Sequence, residues 1–90
     1  MKITNTKIVL FENDINLKAF ASITLDECFV VHNLKVIQTE NGLFVCMPNK
    51  KAANGEFKDV AHPLNTQTRN YIAETVLLAY QEELAKKMNG

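Results

Sequence analysis

The strongest constraint on the fold is a change of hydrophobic period at Pro63. Before Pro63, apolar residues alternate with polar ones or form short runs rich in β-branched residues, which is typical of β-strands. After Pro63, apolar residues recur at helical spacing. A chain that places its strands before one long helix is expected to have an α+β fold.

The first 62 residues predict an antiparallel meander of about five strands. Residues 2–11 and 17–25 are the first two, and the polar segment between them predicts that they pair as a hairpin. The second strand has one face that is entirely apolar. That face comprises Leu17, Ala19, Ala21, Ile23 and Leu25.

The third predicted strand, residues 28–38, follows a tight polar turn at Asp26-Glu27. In an extended conformation its two faces are both largely apolar, which indicates a strand covered on both sides. One face would carry Cys28, Val30, His32, Leu34 and Val36, and the other Phe29, Val31, Asn33, Lys35 and Ile37.

Two shorter strands complete the predicted meander. Residues 43–47 form a strand that ends at Pro48, since proline cannot donate a ladder hydrogen bond. The pair Asn54-Gly55 predicts a hairpin turn, because both residues tolerate positive φ. Residues 56–60 would be the return strand.

The C-terminal segment predicts one amphipathic helix. Asn65 or Thr66 can cap its start, and Asn89-Gly90 suits its end. Its apolar stripe contains Ala73, Val76, Leu77, Tyr80, Leu84 and Met88. Three further apolar residues, Ile72, Leu78 and Ala79, widen the stripe beyond what one sheet face must cover, which favours a second contact such as a partner's helix.

Size and composition predict one cytoplasmic domain, residues 1–90, that forms an oligomer. A chain of 90 residues buries only about 60–65% of the surface that it exposes when unfolded. Its hydrophobic fraction is nevertheless 47%, so apolar surface is left over for a partner subunit. We expect no signal segment or membrane span, and we expect Cys28 and Cys46 to be reduced.

The charged residues balance at ten basic and ten acidic, which argues against binding nucleic acid through net charge. Local clustering is the remaining route. The densest cluster is Lys50 and Lys51 on one arm of the predicted hairpin. Lysines beside small polar residues are a common way to contact phosphates. The candidate nucleic-acid-binding residues are therefore Lys50, Lys51, Asn49, Asn54, Lys58 and Arg69, the last because helix N-termini favour anions. The alternative is that these residues only keep a hairpin tip soluble.

The sequence gives little support for catalysis or for a cofactor. Possible nucleophiles are Ser22, Cys28 and Cys46, and possible bases are His32 and His62, but none lies in a recognisable catalytic motif. Asp59 could orient His62, although nearness in sequence does not establish this. Cys28, His32, Cys46 and His62 have the residue types of a zinc site without its usual spacing. We therefore predict a protein that is not an enzyme and has no metal or other cofactor.

Three blocks of the sequence resemble the SpoVG family (stage V sporulation protein G, septation regulator). They are "ASITLDECFVVHNLKVI", "NGLFVCMPNK" and "GEFKDVAHPLN", at residues 21–37, 41–50 and 55–65, and a looser similarity extends from residue 1 to about 82. The resemblance implies a homodimeric bacterial cytoplasmic protein of the α+β class. It also implies a pleiotropic regulator that binds DNA, and in some members RNA, without a helix-turn-helix.

The resemblance also implies which residues bind nucleic acid. The basic pair that follows the family's Met-Pro sequence is implicated in nucleic-acid binding, and it falls on Lys50 and Lys51. An arginine at the start of the family's helix matches Arg69. The expected function is binding of DNA, with RNA as a second candidate ligand, mainly through phosphate contacts. The alternative is a protein–protein interaction module that docks a septation or transcription partner, with incidental nucleic-acid binding.

Overall fold

The computed structural model describes residues 1–89 as a four-stranded sheet, a separate two-stranded hairpin and one helix. The elements in chain order are β1 (Ile3–Leu10), β2 (Leu17–Leu25), β3 (Phe29–Thr39), β4 (Gly42–Cys46), β5 (Asn49–Lys51), β6 (Phe57–Asp59) and α1 (Thr66–Asn89). The first four strands form an antiparallel meander in the order β1-β2-β3-β4, and β5 pairs with β6. The predicted α+β fold, a meander followed by one helix, is confirmed. There are six strands because the segment after Pro48 is itself extended and pairs with the predicted return strand.

The core lies between α1 and one face of the four-stranded sheet. Ile72, Val76 and Tyr80 are buried on the helix. The sheet contributes Ala19, Ala21, Ile23, Leu34 and Val36, and Met47 follows β4. Alanines on the central strand let the helix approach closely, while larger side chains on neighbouring strands fill the space at the sides.

The helix confirms most of its predicted stripe. Val76 and Tyr80 are buried and Leu77 packs at the edge of the core, as predicted. Met88, a member of the predicted stripe, is instead 80% exposed, near the C-terminal end of the helix. Of the residues that widen the stripe, Ile72 joins the core, whereas Leu78 remains 60% exposed.

The helix begins at a side-chain cap. Asn65 Oδ1 accepts a hydrogen bond from the Thr68 backbone N–H at 2.7 Å, so Asn65 rather than Thr66 is the capping residue. The predicted C-terminal cap at Asn89-Gly90 involves Gly90, which lies outside the described residues. Within residues 1–89, no helix combines the length and the apolar character needed to cross a membrane.

A β-bulge in β3 interrupts the alternation of its side chains between the two faces of the sheet. Ala21 on β2 pairs with Leu34, but Ile23 pairs with Val31, so β3 carries one more residue than β2 over this stretch. The extra residue lies at His32–Asn33, where Asn33 adopts a φ of 68°. The predicted faces of this strand are therefore wrong before the bulge, because an extra residue exchanges inside for outside.

After the bulge Leu34 and Val36 share one face as predicted, and that face is turned to the core, but before the bulge Val31, not Val30, lies on the same side. The expectation that β3 is covered on both sides is also wrong for the single chain. On the side of the sheet away from α1, Val30 is 45% exposed and Phe44 is 48% exposed. This uncovered side is called the outer face below.

The bulge predicts a specific order of stability for substitutions of Asn33. A φ near +68° costs an alanine roughly 1 kcal/mol more than a favourable conformation, whereas glycine adopts it freely. We expect Asn33→Ala to lower the free energy of unfolding by about 1 kcal/mol and Asn33→Gly to change it by less than about half as much. Urea denaturation measures both changes. The control is Asn13→Ala at an exposed loop residue without positive φ, which should have little effect; equal effects of alanine at both positions would contradict the strain.

Candidate nucleic-acid interface

The candidate site is the hairpin arm, defined as residues 49–59, which leaves the body of the fold after β4. Its base is fixed by Met47 and Pro48, which are both buried. The Val60 backbone N–H donates to the Pro48 carbonyl oxygen at 2.7 Å, which closes the base of the arm. The arm is thus a short ribbon held to the core at one end.

The tip of the arm is a glycine-containing loop, although its form differs from the predicted two-residue turn. The Gly55 N–H donates to the Ala52 carbonyl at 2.9 Å, and the Ala52 N–H donates to the Glu56 carbonyl at 2.7 Å. Only Gly55 has a positive φ, 87°, while Asn54 does not. This is a three-residue loop in which glycine alone takes the left-handed conformation. The predicted hairpin is confirmed, and of the two residues that tolerate positive φ only Gly55 adopts it.

The arm brings Lys50 and Lys58 directly opposite each other. The register pairs Asn49 with Asp59, Lys50 with Lys58, and Lys51 with Phe57. Residues opposite each other in an antiparallel ladder share a face, with Cβ atoms about 5 Å apart, and two like charges placed in this way destabilise the pairing. Within residues 1–89, neither lysine forms an ion pair. The arm therefore carries a concentrated positive charge that has no stabilising role in the ladder itself.

The three lysines of the arm meet at one concave surface. Lys50, Lys51 and Lys58 line an open depression of about 400 Å³, together with Ala52, Ala53, Asp59 and Val60. Asp59 is the one carboxylate in this lining. The depression is open and shallow, which suits a polymer backbone lying across the surface better than an enclosed small molecule.

Both predicted asparagines lie on the arm, but their side chains already make local hydrogen bonds. Asn49 is half-buried, and its Nδ2 donates to the Met47 carbonyl at 3.4 Å. Asn54 Oδ1 accepts from the Glu56 backbone N–H at 3.1 Å. Both residues shape the arm, and each retains only part of its side-chain amide for a ligand.

Arg69 is not placed with the lysines. It is exposed in the first turn of α1, where its backbone N–H donates to the Asn65 carbonyl at 3.1 Å, and it does not line the depression. Arg69 therefore lies on another element than the lysines, at the start of α1 rather than on the arm, and its part in binding stays a prediction.

The structure brings together one pair of candidate catalytic residues that the sequence does not pair. Ser22 Oγ and His32 Nδ1 are 2.9 Å apart, across neighbouring strands on the outer face. The β-bulge at His32–Asn33 produces this pairing, and sequence alone does not reveal a bulge. The pair lies on an open sheet surface, and within the described residues no carboxylate bonds the other nitrogen of His32.

The other candidate chemistry does not assemble. Cys28 lies in the turn before β3 rather than on a strand face shared with His32, which corrects the predicted alignment of the two. The Nδ1 atom of His62 is 3.2 Å from the Pro63 carbonyl oxygen, and no hydrogen bond joins His62 to Asp59 among residues 1–89. In the same range, no group of three metal-ligating side chains is close enough to hold an ion.

The pairing of Lys50 with Lys58 predicts that removing one charge stabilises the arm. We expect Lys58→Gln to slow amide hydrogen exchange in β5 and β6 at low salt, because the repulsion across the ladder is relieved. The difference should shrink towards 1 M salt, where charges are screened beyond about 3 Å. Lys51→Gln is the matched control, since Lys51 lies opposite Phe57. Faster exchange in Lys58→Gln would show instead that the lysine supports the arm.

Comparison with known proteins shows where this architecture belongs. The family model SpoVG matches residues 1–82, which include the sheet, the hairpin arm and most of α1. A Bdellovibrio bacteriovorus protein named "Putative septation protein SpoVG" is 54% identical over 84 residues, covering 93% of this chain and 77% of the relative.

Two further relatives carry the same name. The Macrococcus caseolyticus protein is 50% identical over 82 residues, covering 91% of this chain and 71% of its own length. The Caldicellulosiruptor bescii protein is 44% identical over 81 residues, covering 90% and 92% respectively. The match extends over nearly the whole chain in each case, and the chain belongs to the SpoVG family.

Proposed function

We propose that the chain is a pleiotropic septation and sporulation regulator that binds DNA, with RNA as a second ligand, through the hairpin arm. The observation that carries this proposal is the unpaired, directly opposed Lys50 and Lys58, with Lys51 beside them. Two like charges held opposite each other are unfavourable in the free protein and become favourable when an anion lies between them. The sugar–phosphate backbone of a nucleic acid supplies such anions at regular spacing.

The proposed binding is mainly independent of base sequence. Lysine contacts phosphate as a point charge, which positions a protein on the duplex without reading base edges. Asn49 and Asn54 contribute any free part of their side-chain amides, and Arg69 contacts phosphate only where the nucleic acid extends past the arm. The proposed function contains no catalytic step and requires no cofactor.

We propose further that the protein acts as a homodimer through strand and helix surfaces. β1 is an edge strand, so one side of its backbone has no strand partner within the four-stranded sheet. Beside it, the helix presents Leu78 with 60% of its surface exposed, in a groove lined by residues 3–6 together with Thr75, Ala79 and Glu82. Pairing of β1 with β1 of a second copy would continue the sheet and bury Leu78 against the partner's helix.

A dimer would present two hairpin arms to one nucleic acid. The second arm binds at a high effective concentration once the first is engaged, provided that the spacing of the arms fits the ligand. A neutral chain with a small cluster of lysines gains useful affinity in this way. The arms then account for binding that the net charge does not predict.

The first test is the salt dependence of duplex binding. We expect Lys50→Gln combined with Lys58→Gln to weaken binding of a labelled duplex DNA, as measured by fluorescence anisotropy. The slope of log affinity against log salt should flatten by about 0.9 for each lysine–phosphate interaction that the substitutions remove. Removal of both lysines therefore flattens it by about 1.8 for each subunit engaged.

The control removes the same charge elsewhere. Lys86→Gln combined with Lys87→Gln alters the last turn of α1, where both lysines contact glutamates at exposed positions. This variant should keep the slope of the wild type. If both double variants lose affinity equally, binding depends on total charge and the arm has no special role. Binding by wild type that persists at high salt would favour the partner-docking alternative.

One observation favours that alternative, namely exposed apolar residues near the base of the arm. Val60 is 68% exposed, Leu64 is 90% exposed and Phe29 is 63% exposed. These residues suit a regulatory protein partner that docks beside the arm. In that case Leu64→Glu would abolish the partner interaction while the lysine variants leave it intact.

The second test concerns the proposed dimer. We expect Leu78→Glu to shift the protein to a monomer in sedimentation equilibrium, because it places a charge in the centre of the helix contact. Leu64→Glu is the matched control, since Leu64 is still more exposed but lies away from β1 and the helix groove. A wild type that sediments as a monomer, or a Leu78→Glu variant that remains a dimer, would contradict the proposed interface.

A further inference from the structure

The outer face of the four-stranded sheet combines aromatic, basic and hydroxyl side chains on one open surface. Its register across strands follows from the pairing of Val9 with Phe20, Phe20 with Lys35, and Lys35 with Cys46. A second row pairs Lys7 with Ser22, which contacts His32. Phe44 on β4 lies on the same side, because it pairs with Ile37 and alternates with Val45, which packs at the core.

The acidic residues of the chain all lie outside the four strands of this sheet. The chain as a whole balances ten basic and ten acidic residues. None of β1, β2, β3 or β4 contains an aspartate or a glutamate. The outer face nevertheless carries Lys7, Lys35 and the imidazole of His32. A neutral protein therefore has one broad surface whose ionisable side chains are all basic, which suits a polyanion.

The aromatic side chains of this surface are available for stacking. Phe20 is 36% exposed and Phe44 is 48% exposed. Phe11 supports Phe20 from the side, with ring centroids 6.0 Å apart and planes inclined at 47°. The spacing between strands and the rise along them place the Cα atoms of Phe20 and Phe44 about 12 Å apart. They are too distant to contact each other, so each can receive a separate planar group.

Hydrogen-bonding groups lie between the basic and the aromatic positions. The β-bulge turns the His32 side chain to the outer face, where its Nδ1 is 2.9 Å from Ser22 Oγ. Thr24 is half-buried on the same face, next to Ser22 in the alternation of β2. Hydroxyl and imidazole groups can both donate to and accept from a ribose 2′-hydroxyl.

We propose that the outer face binds single-stranded RNA, with bases stacked on Phe20 and Phe44 and phosphates held by Lys7 and Lys35. Ser22 and His32 contact the ribose. This site is separate from the hairpin arm, and it does not depend on the function proposed for the arm. Stacking on exposed aromatics requires unpaired bases, so a duplex does not satisfy this surface.

A second copy of the chain is a poorer occupant of this surface. A symmetric dimer formed face to face would place the basic outer face of one chain against the same basic face of the other. Within the four strands no carboxylate is available to offset that repulsion. The proposed dimer through β1 and the helix leaves the outer face open and places two such surfaces in one continuous sheet.

The chain contains no tryptophan, so a single introduced tryptophan reports on stacking without background. We expect the fluorescence of Phe44→Trp to be quenched on titration with a 12-nucleotide oligouridylate at low salt. Phe29→Trp is the matched control, since Phe29 is also exposed but lies on the helix side of the sheet. Quenching in Phe44→Trp alone supports the site. Absence of quenching, or equal quenching in both variants, overturns it.

Affinity measurements then test the individual contacts. By anisotropy with a labelled oligouridylate, Phe20→Leu and Phe44→Leu should each weaken binding by at least about fivefold, because each variant removes the ring on which one base stacks. Phe57→Leu, at an exposed phenylalanine on the arm, should have little effect. The oligodeoxyuridylate of the same length should bind more weakly than the RNA. Equal binding of the two oligonucleotides would overturn the assignment to RNA.

These experiments test the two proposed binding surfaces independently of each other. The Lys50→Gln and Lys58→Gln double variant should keep the quenching of Phe44→Trp by single strands while it loses duplex binding. Conversely, Phe20→Leu should keep duplex binding. Disappearance of the quenching signal in the arm variant would show that single strands bind the arm and would overturn the outer-face site. Self-association that Phe44→Glu abolishes would overturn it in favour of a second copy.

Discussion

The whole structure depends on the packing of one helix against one face of one sheet. Ile72, Val76 and Tyr80 contact a sheet surface whose centre is built from the alanines of β2. The chain is too short for a second core, so every other feature is positioned relative to this contact. The hairpin arm is fixed to it through Met47 and Pro48, and the N-terminus of the sheet is fixed to it by the hydrogen bond from Ile3 N–H to the Tyr71 hydroxyl at 2.9 Å. Because the helix covers only one side of the sheet, the other side stays exposed.

Local pattern predicts the fold well where each element is self-contained. The second strand is predicted with its observed bounds, Leu17–Leu25, because every second residue is apolar and the residues between them are polar except Phe20, which fixes both period and face. The helix is predicted because its stripe persists over several turns and Asn65 supplies a cap. The arm is predicted as a hairpin because glycine and proline mark its turn and its base.

Most of the features that the sequence does not predict depend on the tertiary pairing of strands. A bulge at Asn33 has only a weak local signature, since asparagine tolerates positive φ but does not by itself show where the ladder shifts, and the bulge exchanges the predicted faces of Val30 and Val31. The same bulge produces the contact between Ser22 and His32, which are ten positions apart. Charge alone groups Arg69 with the lysines, whereas its position is set by where the helix begins. The opposition of Lys50 and Lys58 likewise follows from register, which composition does not contain.

The bulge in β3 also determines how this sequence can tolerate change in length. It holds a single extra residue, and removal of Asn33 would give a regular ladder in which Ser22 lies directly opposite His32, with Leu34 still opposite Ala21 and Val31 still opposite Ile23. A chain without Asn33 would therefore keep Val31 towards the helix and His32 on the outer face. If Asn33 were instead retained in a ladder without a bulge, Val30 and His32 would turn towards the helix and Val31 would be exposed. An imidazole would then enter the core, and Ser22 on the outer face would no longer have a histidine beside it. The length of the chain at this one position can thus shorten without changing the outer face, but only a bulge accommodates the length that it has.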